Sequence, residues 1–205
     1  MNRWLGRLRL IILLGLVPAL VSGFAQAFDL AELSAQLGKP DVVRGPFTQQ
    51  KFLRALPQPL TSQGRFVLAK AHGLLWQLER PLRQDYRIDG QGIARRDSSG
   101  WQALPGSHAG AEQNRLFFAV LQGDGSALQR DFEPSLSGDS QAWSLKLTPR
   151  SALLKQIFQR IEIQGGAYVQ RVELFETQGD RTLLTLPSSS GVGALSEQER
   201  DDFAE

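Results

Sequence analysis

The stretch PFTQQKFLRALPQPLTSQGRFVLAKAHGLLWQLE, residues 46–79, decides the fold. It predicts three successive antiparallel strands. Phe66 and Leu68 fall on one face, with Arg65 and Val67 opposite. Leu74, Trp76 and Leu78 share a face, with Gln77 and Glu79 opposite. Side chains alternate along a strand, so this spacing loads one side of a sheet with hydrocarbon and wets the other.

The pattern recurs outward from that stretch. Strands are expected at 46–55, 63–69, 73–79, 84–88, 93–97 and 101–104. Further strands are expected at 127–133, 142–148, 158–164, 168–176 and 181–186. Trp143, Leu145 and Leu147 alternate with Ser144, Lys146 and Thr148. Asp89-Gly90, Gly165-Gly166 and Gln178-Gly179-Asp180 mark tight turns, so the sheet is expected to be antiparallel. Helix signals are few. Asp29 is placed to cap a helix carrying Leu30, Leu33 and Leu37, which Gly38-Lys39-Pro40 ends. A second helix is expected over Glu112–Gln122, with Leu116, Phe117, Val120 and Leu121 as its apolar stripe. One more turn of helix is expected within Ser151–Gln156.

The expected class is therefore mainly β with few helices (α+β), a curved antiparallel sheet curled as an open, incomplete barrel covered by helices. About eleven strands share one apolar face, and two helices are too few to cover it if the sheet stays flat. Such curling leaves an apolar hollow; the alternative is a fully packed core with no cavity. Residues facing the hollow would be Phe47, Phe66, Leu68, Trp76, Leu78, Trp143 and Leu145 from the sheet, with Phe117 and Leu121 from the second helix. Each has plain core packing as its competing role.

Bulk properties narrow the setting. Arg3, Arg7 and Arg9 precede an apolar run, Leu10 to Val21, and Ala25-Gln26-Ala27 is a small-x-small cleavage site. This predicts a secretory signal over residues 1–27 rather than a membrane anchor. The 178 residues that follow suit one domain, spanning 28–187, with 188–205 as a flexible or short helical tail. Beyond the signal, 20 basic residues meet 21 acidic ones, so nothing points to nucleic acid. There is no cysteine, hence no disulfide and no site for an N-terminal lipid. A soluble exported monomer is expected.

Chemistry is sparse. His72 and His108 are the two histidines, outside any ligand-spaced cluster, and no metal or cofactor is expected. No Gly-x-Ser-x-Gly elbow and no phosphate loop is present. Asp201 and Asp202 are adjacent carboxylates in a tail, which is ordinarily solvated surface. No nucleophile–base pair assembles, so an enzyme is not expected.

An ordered set of short motifs carries a resemblance. Gly45-Pro46-Phe47-Thr48-Gln49-Gln50-Lys51 bears a Phe-x-Gln signature, followed by Gly64-Arg65-Phe66-Val67-Leu68 and by Gly73-Leu74-Leu75-Trp76. Pro81, Asp89-Gly90 and Leu147-Thr148-Pro149-Arg150 come next in the same order. Over residues 29–187 the chain resembles the LolA family, periplasmic carriers of outer-membrane lipoproteins. The resemblance implies an open barrel whose cavity takes acyl chains. It also implies a shuttle that accepts an acylated lipoprotein or another exported acyl lipid from an inner-membrane transporter and passes it to an outer-membrane acceptor. That acceptor is itself a lipoprotein, so the absence of cysteine argues against the acceptor's role here. A sensor module of the same fold, binding a lipid or a protein without transporting it, is the alternative.

The departures from the pattern are specific. The family's Arg-Pro pair, whose arginine holds the helical lid closed, falls on Lys70-Ala71; the resemblance implies Lys70 as the lid latch, with the charge kept and the planar fork lost, and an ordinary exposed lysine is its competing role. The family's exposed aromatic for docking to the transporter falls on Leu74. The tryptophan that usually follows the Asp-Gly turn is replaced by Ile93 and Ala94. These changes imply a divergent member.

Overall fold

The computed structural model describes residues 28–105, 118–191 and 193–204. One sheet of eleven antiparallel strands dominates: β1 (Val42–Phe52), β2 (Leu60–Ala69), β3 (Gly73–Arg80), β4 (Gln84–Asp89), β5 (Gly92–Asp97), β6 (Gly100–Ala103), β7 (Phe132–Asp139), β8 (Ala142–Pro149), β9 (Phe158–Gly165), β10 (Val169–Glu176) and β11 (Arg181–Thr185). Four short helices accompany it: α1 (Leu30–Leu37), α2 (Gly125–Asp131), α3 (Ala152–Ile157) and α4 (Glu197–Ala204). Residues 118–122 are also helical. The six residues 112–117 of the expected second helix, Phe117 among them, lie outside the described residues, as do the expected signal and His108.

The strand order is β6-β5-β4-β3-β2-β1-β11-β10-β9-β8-β7. The chain enters the middle of the sheet, meanders to the β6 edge, and reappears at the opposite edge, β7. It then meanders back to pair β11 with β1. Ten inter-strand gaps of about 4.8 Å would separate the two edges by about 48 Å in a flat sheet. The connection between β6 and β7 carries the helical residues 118–122 and α2 across one face. That face is concave, and β6 and β7 remain unpaired with each other, so the barrel is open.

The register puts the expected apolar residues together. Phe66 lies opposite Trp76, Leu68 opposite Leu74, and Leu74 opposite Ile88. On the other half, Leu145 lies between Leu136 and Ile163. The concave core joins these to Leu33 and Leu37 of α1, to Val120 and Leu121, and to Leu128 of α2. The convex face has its own small core. Val42, Val67, Ala69 and Leu75 pack under Trp101, Leu195 and Phe203, the last two from the C-terminal segment.

One expected strand is corrected. Residues 127–133 are mostly helix: α2 ends at Asp131, and β7 begins at Phe132. Leu128 and Phe132 are both buried; their spacing of four puts them on one face of a helix and equally on one face of a strand, so it does not separate the two. A chain that has just crossed the concave face can bury Leu128 there as one turn of helix before turning into the edge strand.

Candidate functional site: the helix-covered concave face

α1 forms because its ends are satisfied locally. The Asp29 carboxylate accepts the Glu32 N–H, and the Glu32 carboxylate accepts the Asp29 N–H, a reciprocal cap. Gly38 closes the helix, donating its N–H to Ser34. Leu33 and Leu37, four apart, face the sheet and are buried.

The C-terminal end of α1 bridges the two halves of the sheet. Lys70, just past the end of β2, donates from Nζ to the Gly38 carbonyl at 2.8 Å. Gln36 reaches the other half, donating from Nε2 to Gly166 O at 2.6 Å and to Ser140 O at 3.2 Å. The Gly166 carbonyl also accepts the Trp143 indole N–H at 2.7 Å. Lys70, Ser140 and Gly166 sit in three different turns at one end of the strands, here termed the clasp end. A cation suits a helix C-terminus, where the unsatisfied carbonyls carry partial negative charge. Gln36 was missed from sequence, since a single glutamine on a helix face carries no signature.

On the concave face the candidate cavity residues fall into two groups. Phe47, Phe66 and Trp76 form an aromatic cluster under β1–β3: the Phe47 and Trp76 rings stack with centroids 3.8 Å apart, and Phe66 lies 6.5 Å from Trp76. Leu68 is buried beside them. Gly64 makes the stack possible. It lies on β2 opposite Phe47, and a Cβ there would stand 2.9 Å from the Phe47 ring and 2.0 Å from the Gln77 carbonyl oxygen. Trp143 and Leu145 form the second group, under β8. Leu121 is buried in the same core. Leu78 is half-buried at the margin, packing on the core and also lining a polar recess with Gln77, Arg83, Asp85 and Arg96. Leu74, expected at a docking surface, is fully buried and offers no surface to a partner in this conformation.

Among the described residues, the space between α1, α2 and the sheet includes one small apolar cavity. It measures about 20 Å³ and is lined by Leu33, Leu37, Val120, Leu128, Trp143 and Leu145 among others. That volume holds no more than a water-sized body, and its apolar walls would keep it dry. At this place the leucines and valine of the described helices occupy the apolar face themselves. Three of these, Leu33, Leu37 and Val120, sit on helices foreseen in the sequence; Leu128 was hidden by the strand expected over it.

No lining residue of this cavity is ionisable. The described residues contain no cluster of three or more His, Cys, Asp or Glu placed to hold a metal. The buried carboxylate of Glu173 belongs to the other face. Burial would raise its pKa, but the guanidiniums of Arg171 and Arg181 outweigh that and hold it below the ordinary value. The concave site is therefore equipped to bury hydrocarbon.

The family model described as outer membrane lipoprotein carrier protein LolA matches residues 39–199. Among solved structures, a LolA superfamily protein from Nitrosomonas europaea is 11% identical with a TM-score of 0.49, over 87% of this chain and 99% of that one. The MucA/MucB complex of Pseudomonas aeruginosa is 16% identical with a TM-score of 0.49, over 82% of this chain and 58% of that one. A comparison with curated proteins yields no match.

Proposed function

The chain belongs to the LolA family of outer membrane lipoprotein carrier proteins, and from that membership we propose that it is a periplasmic carrier of acyl lipid. Its cargo is a lipoprotein or another exported lipid. It takes that cargo from an inner-membrane transporter and passes it to an outer-membrane acceptor, after residues 1–27 have served as a signal peptide.

One observation carries the reading. A continuous apolar face is covered by short helices, and the polar ties that hold α1 over it are the contacts of Lys70 and Gln36. The structure described above is then the closed, cargo-free state. α1 and the helical residues 118–122 swing aside, and acyl chains take the place of Leu33, Leu37 and Val120 against Trp143 and Leu145. Each methylene moved out of water contributes about 0.8 kcal/mol. The helices' own leucines give up comparable burial, so net affinity stays moderate and cargo leaves toward any site that buries it better. Lys70 serves as the latch of the closed state.

The helix side chains already on the apolar face favour one second reading, a module of the same fold that binds a lipid or protein without carrying it. Transfer separates the two. Loaded with a fluorescent acyl lipid, a carrier delivers it from donor to acceptor membranes, whereas the module binds without delivery. Organic extracts of the protein recovered from its host are expected to contain acyl species by mass spectrometry. Their absence from every preparation would overturn both lipid readings.

A further inference from the structure

Five large hydrophobic side chains are exposed among the described residues: Leu56, Leu60, Leu82, Leu153 and Ile157. Scattered singly, such residues need no explanation. These are not scattered. Leu56 lies in the β1–β2 loop and Leu60 opens β2. Leu82 is in the β3–β4 turn, and Leu153 and Ile157 are on α3, between β8 and β9. The antiparallel order places every one of these segments at the end of the sheet opposite the clasp end.

The loops are stapled to one another there. The Arg54 N–H donates to the Asp180 carboxylate, and its guanidinium donates to Gln178 O, which joins the β1–β2 loop to the β10–β11 turn. Thr177 of that turn donates its N–H to Ile157 O and its hydroxyl to Lys155 O. Leu56, Leu60, Leu153 and Ile157 therefore stand on a connected rim, and Leu82 stands on the β3–β4 turn at the same end.

Charge is sorted in the same way. Segments 53–60, 80–83 and 150–157 hold Arg54, Arg80, Arg83, Arg150 and Lys155, and not one Asp or Glu. None of the five cations is ion-paired with a carboxylate among the described residues. Acids flank these segments at the same end: Glu79 and Asp85 line one recess with Arg83 and Arg96, Asp97 accepts from Ser99, Asp180 accepts the Arg54 N–H, and Glu176 lies 3.9 Å from Lys51. Asp131 and Glu133 are set apart at the β7 edge.

We infer that this rim is a surface for docking on an anionic lipid bilayer. Its most exposed leucines, Leu82 (77%) and Leu153 (68%), reach into the headgroup region, while the arginines and lysine meet lipid phosphates. The exposed tips are aliphatic and carried on separate loops. Protein hot spots are rich in Trp and Tyr and poor in Leu, so a protein partner is the less fitting occupant. The contact is weak and reversible, as single side chains give marginal binding and several together are needed.

The test is co-flotation with vesicles, using protein expressed from the full gene, recovered from the soluble fraction and checked by intact mass. No cargo is added and flotation reads attachment to the bilayer, not delivery between membranes, so its failure is distinct from failure of the carrier reading. Vesicles containing phosphatidylglycerol are expected to bring the protein up with them, and phosphatidylcholine vesicles much less. The double variant L82S/L153S, and separately R80Q/R83Q, are expected to weaken partitioning about ten-fold with unchanged thermal unfolding. Both pairs are exposed, so folding is retained. The proposal is overturned if anionic vesicles bring up no protein. It is equally overturned if both double variants float like the parent, or if the rim binds an acidic protein while ignoring lipid.

Discussion

Lys70 Nζ donates to the Gly38 carbonyl oxygen over 2.8 Å, tying the end of β2 to the C-terminal cap of α1. Together with Gln36, this contact makes α1 a bar across the open side of the barrel at the clasp end. Replacing Lys70 by Met removes the charge and the donor while keeping the stem. Global stability is expected to fall by less than about 1 kcal/mol, because the contact is exposed. Amide exchange in Leu30–Leu37 is expected to quicken well beyond that of β2 and β3. Equal slowing or quickening throughout the fold would dissociate Lys70 from the helix.

Leu33, like Leu37, is a buried residue of α1 that faces the small cavity. Truncation to Ala costs about 3 kcal/mol of stability through lost burial and a new void. The same change makes the helix cheaper to displace, so a fluorescent acyl probe is expected to bind more tightly than to the parent. Titration of the probe decides it; weaker binding by a folded Leu33→Ala protein would mean that the helix does not have to move.

Gly64 is required by what crosses it. Its Cβ would meet the Gln77 carbonyl oxygen at 2.0 Å and the Phe47 ring at 2.9 Å. Gly64→Ala is expected to cost about 3 kcal/mol in urea unfolding, by pushing β3 away and unstacking Phe47 from Trp76. The near-ultraviolet circular dichroism of the stacked tryptophan should fall with it.

The C-terminal helix α4 is strapped to the convex face by charge. Arg44 donates to both carboxylate oxygens of Glu199, at 3.0 and 2.9 Å, and Arg96 donates to Asp202 at 2.6 Å. Phe203 packs on the small convex core. Phe203→Ser is expected to cost about 1–2 kcal/mol and to raise proteolytic nicking after Ser190, leaving the concave core intact.

Acid should loosen the same strap. Burial alone would raise the Glu199 carboxyl, yet the Ser196 N–H and the Arg44 guanidinium bind its ionised form and hold it below the ordinary 4.5. Glu173 is also held low. A folded pKa below the unfolded one contributes stability above about pH 4.5 that is lost as pH falls through the folded value. Asp85 acts in the opposite sense, since burial raises it, so its protonation restores some stability on acidification. Unfolding free energy measured from pH 6 to pH 3 is expected to decline, and Glu199→Gln to decline less steeply.

Much of the sheet could be read from residues because its signal is local. The alternation of Phe66, Leu68, Leu74 and Trp76 sets which side chains share a face, and short turns force antiparallel neighbours, so β2–β6 and β8–β11 follow from pattern, whereas β1 runs Val42–Phe52 and not over the expected 46–55. The Asp29–Glu32 cap and the leucines behind it likewise announce α1. Leu128 was misplaced because apolar residues at 128 and 132 fit either period over so short a run.

What the chain wrote locally was a greasy face, a wet face and too little helix to hide the first. Which residues of α1 and α2 meet that face, and which end of the strands collects the exposed leucines, were settled only when β11 paired with β1. That pairing joins residues more than a hundred positions apart, and no local periodicity encodes it. It brings Gln36 to Gly166 and Leu82 onto the same end as Leu153. Contacts of that kind depend on the curvature of the whole sheet, which is a property of all eleven strands together and of no single segment.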